Sequence, residues 1–176
     1  MFRKALLIFI LTFTTVASAD ELKFINGKVT AHTEVFGESA INPSVSDLST
    51  NIHISGDITS IKGTITIPLI GLKSDNSKRD AHMQEVLESN KFPNAVYTIT
   101  NIEKDGNGFK INGILNLHNV KNTVAMKGSI ENAGPIINIK VDGAFPMSSF
   151  GIEPPRLLFL KVRDSVDISG NLSLSK

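Results

Sequence analysis

The sequence predicts an all-β fold, an antiparallel β-barrel of about eight strands with one short α-helix inserted around residues 78–89. Three observations predict it. Apolar residues fall on every second position along most of the chain from Asp20 onward, the pattern of strands with one buried face. One stretch, residues 78–89, switches to helical spacing. Gly63, Gly113, Gly128, Gly143 and Gly170 stand on the apolar face of their strands, where a sheet that closes on itself needs bends.

The first nineteen residues read as an export leader. Arg3 and Lys4 open it, residues 5–16 form an apolar run, and Ala17-Ser18-Ala19 supplies small residues at a cleavage site. As a helix that run would rise only about 18 Å, against roughly 30 Å of hydrocarbon in a bilayer. Cleavage after Ala19 would leave one domain, residues 20–176, in the periplasm or an equivalent exported compartment. Strands follow in order. Short runs at about 22–36 and 50–58 come first. Ile61, Gly63, Ile65, Ile67 and Leu69 then share a face opposite Lys62, Thr64 and Thr66. In the helical stretch Met83, Val86 and Leu87 make the apolar stripe, Ser77 is the expected N-cap, and Asp80 suits the positive end of the helix dipole. Phe92-Pro93 ends the helix and starts a strand over 95–102. Asp105-Gly106-Asn107-Gly108 is a strong hairpin turn into Phe109, Ile111, Gly113, Leu115 and Leu117. A strand near 123–130, a weaker turn at Asn132-Ala133-Gly134-Pro135, the set Ile137, Ile139, Val141, Gly143 and Phe145, and a last strand from Val166 to Leu174 complete the count.

Composition excludes several functions. With 18 basic and 17 acidic residues the net charge is +1, too small to draw nucleic acid. The absence of cysteine removes disulfides, thiolate zinc sites, redox dithiols and a cysteine nucleophile. His32, His53, His82 and His118 show no H-x-x-x-H spacing, so no metal site is predicted, and His53 and His118 read as surface residues on strand faces. No G-x-S-x-G elbow, P-loop or G-x-G-x-x-G occurs, no catalytic residue is assigned, and Glu85 and Glu88 read as a solvated helix face. The chain reads as a non-enzyme. The inward glycines allow two interiors, a cavity or a tightly filled barrel or sandwich in which neighbouring side chains occupy the space.

Five motifs in order resemble the YceI-like family. They are His32-Thr33-Glu34-Val35, Arg79-Asp80-Ala81-His82-Met83 with Phe92-Pro93, Gly113-Ile114-Leu115-Asn116-Leu117-His118-Asn119-Val120, Ser149-Phe150-Gly151-Ile152, and Val162-Arg163-Asp164-Ser165-Val166-Asp167-Ile168. The resemblance covers nearly all of residues 20–176. It implies a lipocalin-like barrel in the periplasm whose apolar cavity holds a polyisoprenoid, such as a prenyl quinone or prenyl pyrophosphate, with no catalytic cofactor. A transient membrane or membrane-protein contact and a homodimer are both left open. Asn119 stands where the family has glycine, and Asn is the best substitute at a positive-φ turn. Ser149 stands where the family has aspartate.

On this reading the wall candidates are Ile65, Ile67, Tyr97, Ile99, Ile111, Gly113, Leu115, Met126, Ile139, Gly143, Phe145, Phe150 and Phe159. The headgroup candidates are Arg79, His82, Lys161 and Arg163, since guanidinium and ammonium groups bind phosphate and polarised carbonyl oxygens. The alternative function is a filled barrel that binds a membrane or redox partner through its surface.

Overall fold

The computed structural model describes residues 19–35, 39–157 and 160–176. The leader, Phe159 and the tip of the Leu157-Leu158-Phe159-Leu160 stretch therefore lie outside the described residues. The elements run β1 (Asp20–Val35), β2 (Ser39–Ile41), β3 (Ser44–Val45), β4 (Ser49–Ile54), β5 (Lys62–Pro68), α1 (Ser77–Val86), β6 (Asn94–Asp105), β7 (Gly108–Leu117), β8 (Val120–Ala133), β9 (Ile136–Pro146), β10 (Arg156–Leu157), β11 (Leu160–Lys161) and β12 (Ser165–Ser175). Single 3₁₀ turns lie at Ile58–Ser60, Leu69–Gly71 and Met147–Phe150.

Eight long strands pair antiparallel in the order β1-β4-β5-β6-β7-β8-β9-β12, and β12 returns to β1, so the sheet is a closed barrel. Short β2 and β3 add to β1, and β10 with β11 forms a separate hairpin. Closure removes the exposed edges that an open sheet of this size would present. The eight sequence-predicted strands correspond to these eight. Both predicted hairpin turns form, pairing Asp105 with Gly108 and Ala133 with Ile136, and Gly106 and Gly134 take positive φ.

Sharp bends use glycine where a side chain has no room. A Cβ on Gly63 (φ +134°) would lie 2.0 Å from the Asn51 carbonyl oxygen, and one on Gly128 would lie 1.8 Å from that of Lys140. Bulges at Phe24/Asn26 and Ile99/Asn101 increase the local twist. At the turn after β7, His118 and Asn119 both take left-handed backbone (φ 53° and 60°), so asparagine does there what the family glycine does.

The helix begins one residue away from the expected cap. Asn76, not Ser77, holds the N-cap position, its Oδ1 accepting from the backbone N–H of Lys78 and Arg79 at 3.1 Å each. An amide oxygen one residue earlier reaches both free N–H groups, and Ser77 becomes the first helical residue. Asp80 sits in the first turn as expected and accepts from the Ser74 N–H (2.9 Å) and hydroxyl (2.6 Å).

Turns and strands divide the barrel into two ends. One end holds the β6–β7 and β8–β9 turns and is solid, with Ile52, Ile61, Ile137 and Leu174 at 0% exposure. At the other end α1, the Met147–Phe150 turn and the β10–β11 hairpin gather, and there the inward residues Ile67, Met126, Phe145 and Ile168 are only partly buried.

Candidate functional site

Partial burial at the helix end marks a cavity of about 210 Å³. Its walls come from eight strands: Val29, Ala31 and Thr33 of β1, Ile41 of β2, Ile67 of β5, Ala95 and Tyr97 of β6, Leu115 and Leu117 of β7, Val124 and Met126 of β8, Gly143, Ala144 and Phe145 of β9, and Val166 and Ile168 of β12. Met83, Val86 and Leu87 of the helical segment face it from above, the stripe that helical spacing predicted. Pro155 and Val162, at the foot of the β10–β11 hairpin, reach its mouth, tied by the Val162 N–H to the Pro155 carbonyl at 3.0 Å.

Tyr97 forms the floor. It is 3% exposed, and its hydroxyl bonds the carbonyl oxygens of Val124 (2.9 Å) and Ile111 (3.2 Å). The ring lies over Gly113, where a Cβ would come within 2.3 Å of the ring carbon Cζ. Burial pushes the phenol up to about 12, so it stays neutral and turned into the sheet. The Thr33 hydroxyl likewise bonds backbone carbonyl oxygens, those of Arg163 (3.1 Å) and Ser165 (3.4 Å). With both hydroxyls occupied, the polar groups left on the wall are Arg79 and His82, side by side on α1. Each holds only a loose acidic partner among the described residues, Asp75 at 3.5 Å and Glu85 at 3.6 Å. Neither contact anchors the helix to the barrel.

The wall candidates divide by height. Ile67, Tyr97, Leu115, Met126, Gly143 and Phe145 line the cavity, as do the headgroup candidates Arg79 and His82. Ile99, Ile111 and Ile139 do not: they point inward from below the Tyr97 floor and are packed at 3–5% exposure in the solid half. Gly113 is covered by the Tyr97 ring rather than by open space. Ile65 faces inward beside Tyr97 and packs on the core without reaching the cavity. Phe150 lies behind the wall at 0% exposure, its ring edge-on to Phe145 at 5.1 Å.

Two headgroup candidates fall away. Lys161 is exposed on the hairpin, and Arg163 turns outward, its guanidinium on Asp167 and on the Ser165 carbonyl at 3.1 Å. Asp164, beside it, bonds the Ser148 N–H (2.8 Å) and hydroxyl (2.6 Å) instead, contacts that hold its carboxyl below the usual range. Alternation identified the inward face but not the height, so Val29, Ala31, Leu117, Val124 and Ile168 were missed. Their distance from the turns would have placed them, because the end of β7 and the start of β6 lie at the helix end.

His118 also corrects an expectation. It lies in a turn, not on a strand face, with its side chain 18% exposed, its Nε2 2.6 Å from Glu88 and its ring 4.4 Å from that of Phe92. Glu88 is exposed, as expected, but it also fastens the helix end to the barrel, and its bond to His118 lowers its carboxyl pKa. Among the described residues no group of three or more His, Asp or Glu side chains could hold a metal ion, and no helix is long and apolar enough to cross a membrane.

Comparison with known proteins agrees with this architecture. Protein YceI of Shigella flexneri is 29% identical over 75 residues, 42% of this chain and 39% of that protein, so the match spans about two-fifths of the relative's length. The barrel superimposes on BcnA of Burkholderia cenocepacia with a TM-score of 0.74 at 15% identity, covering 84% of this chain and 95% of that one. It also superimposes on a polyisoprenoid binding domain from Saccharophagus degradans implicated in plant cell wall breakdown, with a TM-score of 0.64 at 13% identity over 88% and 97% of the two chains. The model of the YceI-like domain matches residues 15–174, nearly the whole sequence, and the chain belongs to the YceI-like family.

Proposed function

We propose that this protein binds a polyisoprenoid-type lipid, a prenyl quinone or a prenyl phosphate, and sequesters or carries it without transforming it. One observation supports the reading above the others: a cavity walled by aliphatic and aromatic side chains, with Arg79 and His82 together on its helical rim. Such a space suits a branched hydrocarbon, whose burial yields about 0.8 kcal/mol per CH₂ without any directed contact. Arg79 and His82 would meet the polar end, a guanidinium being well matched to phosphate oxygens and an imidazole to a quinone carbonyl. The polyisoprenoid binding domain of Saccharophagus degradans, which shares the barrel, favours the same lipid class. The leader pattern favours the periplasm for this activity, and loading and release there would take a transient membrane contact.

The test is native mass spectrometry of the protein exported by its own leader, followed by solvent extraction of any cargo. A stoichiometric prenyl lipid on a chain beginning at Asp20 is the expected result. A protein that is empty, and stays empty with added prenyl quinone and prenyl phosphate, would refute the lipid reading. It would leave the surface-binding barrel in its place.

A further inference from the structure

The barrel is hollow for only part of its height. Resting on the lipid-binding reading above, we infer that the site is length-selective, burying tails of roughly two or three isoprene units and leaving any longer tail outside. The longest wall run, Val29 to Thr33 of β1, covers four residue steps. At about 3.3 Å per step it spans about 13 Å. An extended isoprene unit, four chain bonds long, takes roughly 5 Å, so the strands accommodate two to three units.

Below that depth the way is shut by construction. The Tyr97 ring crosses the interior onto Gly113 and is pinned by hydrogen bonds to carbonyl oxygens of two strands, β7 and β8. Ile99, Ile111 and Ile139 then fill the cross-section, and Ile137 and Leu174 beneath them have no exposed surface. A chain of eight units would need roughly 40 Å of tunnel at ordinary bond lengths. Every long strand is paired on both sides, except that at cavity height the side of β1 away from β12 is covered by the short β2 and β3 rather than by β4.

The experiment is a length series of prenyl diphosphates and matching prenyl quinones with two, three, four and eight units, each competed against the others on the whole mature protein by native mass spectrometry. Retention should climb with each unit up to two or three, and the eight-unit probe should show no gain over the four-unit one. An eight-unit probe retained more than about tenfold over the four-unit one, roughly 1.4 kcal/mol, would overturn the ceiling while leaving lipid binding intact. Failure of every probe in both series would instead overturn the lipid reading and this inference with it. Tyr97→Ala should move the plateau to longer tails and Tyr97→Phe should leave it unchanged. The wild-type series decides the question alone if the alanine variant does not fold.

Discussion

Gly113 is the sharpest point at which to test the Tyr97 floor. In Gly113→Ala the new methyl would sit 2.3 Å from Cζ of Tyr97, 2.5 Å from its hydroxyl oxygen and 2.6 Å from the Thr98 carbonyl oxygen. The carbonyl belongs to the sheet, so the ring has to give. Moving it strands a buried hydroxyl, at a cost of about 1–3 kcal/mol, and the crowding adds about 1–3 kcal/mol. A total of roughly 2–6 kcal/mol corresponds to a fall in Tm of about 4–24 °C for a chain of this size. Tyr97 is the only tyrosine, and there is no tryptophan, so near-ultraviolet circular dichroism and phenol titration report on this one ring. In the wild type the phenol should ionise near 12, and in Gly113→Ala closer to its ordinary value of about 10. The folded value is the raised one. Stability should therefore be full below pH 10 and fall as pH rises through about 12, because the unfolded chain loses its proton first. A Gly113→Ala protein with wild-type Tm and an unchanged tyrosine titration would refute this account of the floor.

Three other outcomes follow from the same geometry. Gly143→Leu starts from a Cβ whose nearest neighbours are Met126 Cγ at 3.0 Å and the Ala125 carbonyl oxygen at 3.3 Å, so the side chain enters the cavity; circular dichroism should show a folded barrel, and lipid extraction should find it empty. Ile139→Ala, in the solid half, should lose about 2–5 kcal/mol in urea unfolding, whereas Ile168→Ala, at the cavity wall, should lose clearly less because part of its surface already lacks a packing partner. Glu88→Gln should lower Tm at about pH 5, and the difference from wild type should close as pH falls below about 4. The folded Glu88 carboxyl is the depressed one, so its contribution is present above the unfolded pKa and lost as pH falls through the folded value. Melts at a series of pH values check it.

Period-two patterning made the barrel legible because each inward face is apolar and a slip of one residue would expose it. The turns were legible for a similarly local reason, since Gly106, Gly134 and Asn119 occupy backbone conformations that few residues tolerate. The cavity was only half legible. Leu115 and Ile111 are both apolar, inward and four residues apart on β7, yet one faces open space and the other a filled layer. What separates them is Tyr97, on the neighbouring strand, leaning diagonally onto Gly113. Such a contact depends on register and side-chain direction together, and no spacing within β7 encodes it. Arg163 shows the same limit of local reading. Its motif neighbours suggested a mouth residue, but Asp167, four positions along, draws the guanidinium outward.

A barrel that stays hollow at one end cannot fill that end's interior with apolar side chains, since they would occupy the cavity. The mouth is held instead from around the rim, by buried apolar residues such as Phe150 and Ile152 and by polar fastenings. Asp80 holds Ser74 at the start of α1, Glu88 holds His118 at its end, Asp164 holds Ser148 beneath the Met147–Phe150 turn, and the Asn122 amide donates to the Ser149 carbonyl at 2.7 Å. Ser149 thus contributes its backbone to the rim, where the family's aspartate would add a charge. Directed bonds of this kind fix the position of a loop without filling the space beside it. The solid end adds to its own polar contacts the cohesion of a filled interior, through Ile52, Ile61, Ile137 and Leu174. Two of the rim carboxylates, Glu88 and Asp164, are held below their usual range by these same contacts. Acid therefore acts on the mouth through Glu88 and Asp164, and at the other end through Asp57, whose bonds from Thr59 likewise hold its carboxyl below the usual range, while the aliphatic layers between them keep their packing.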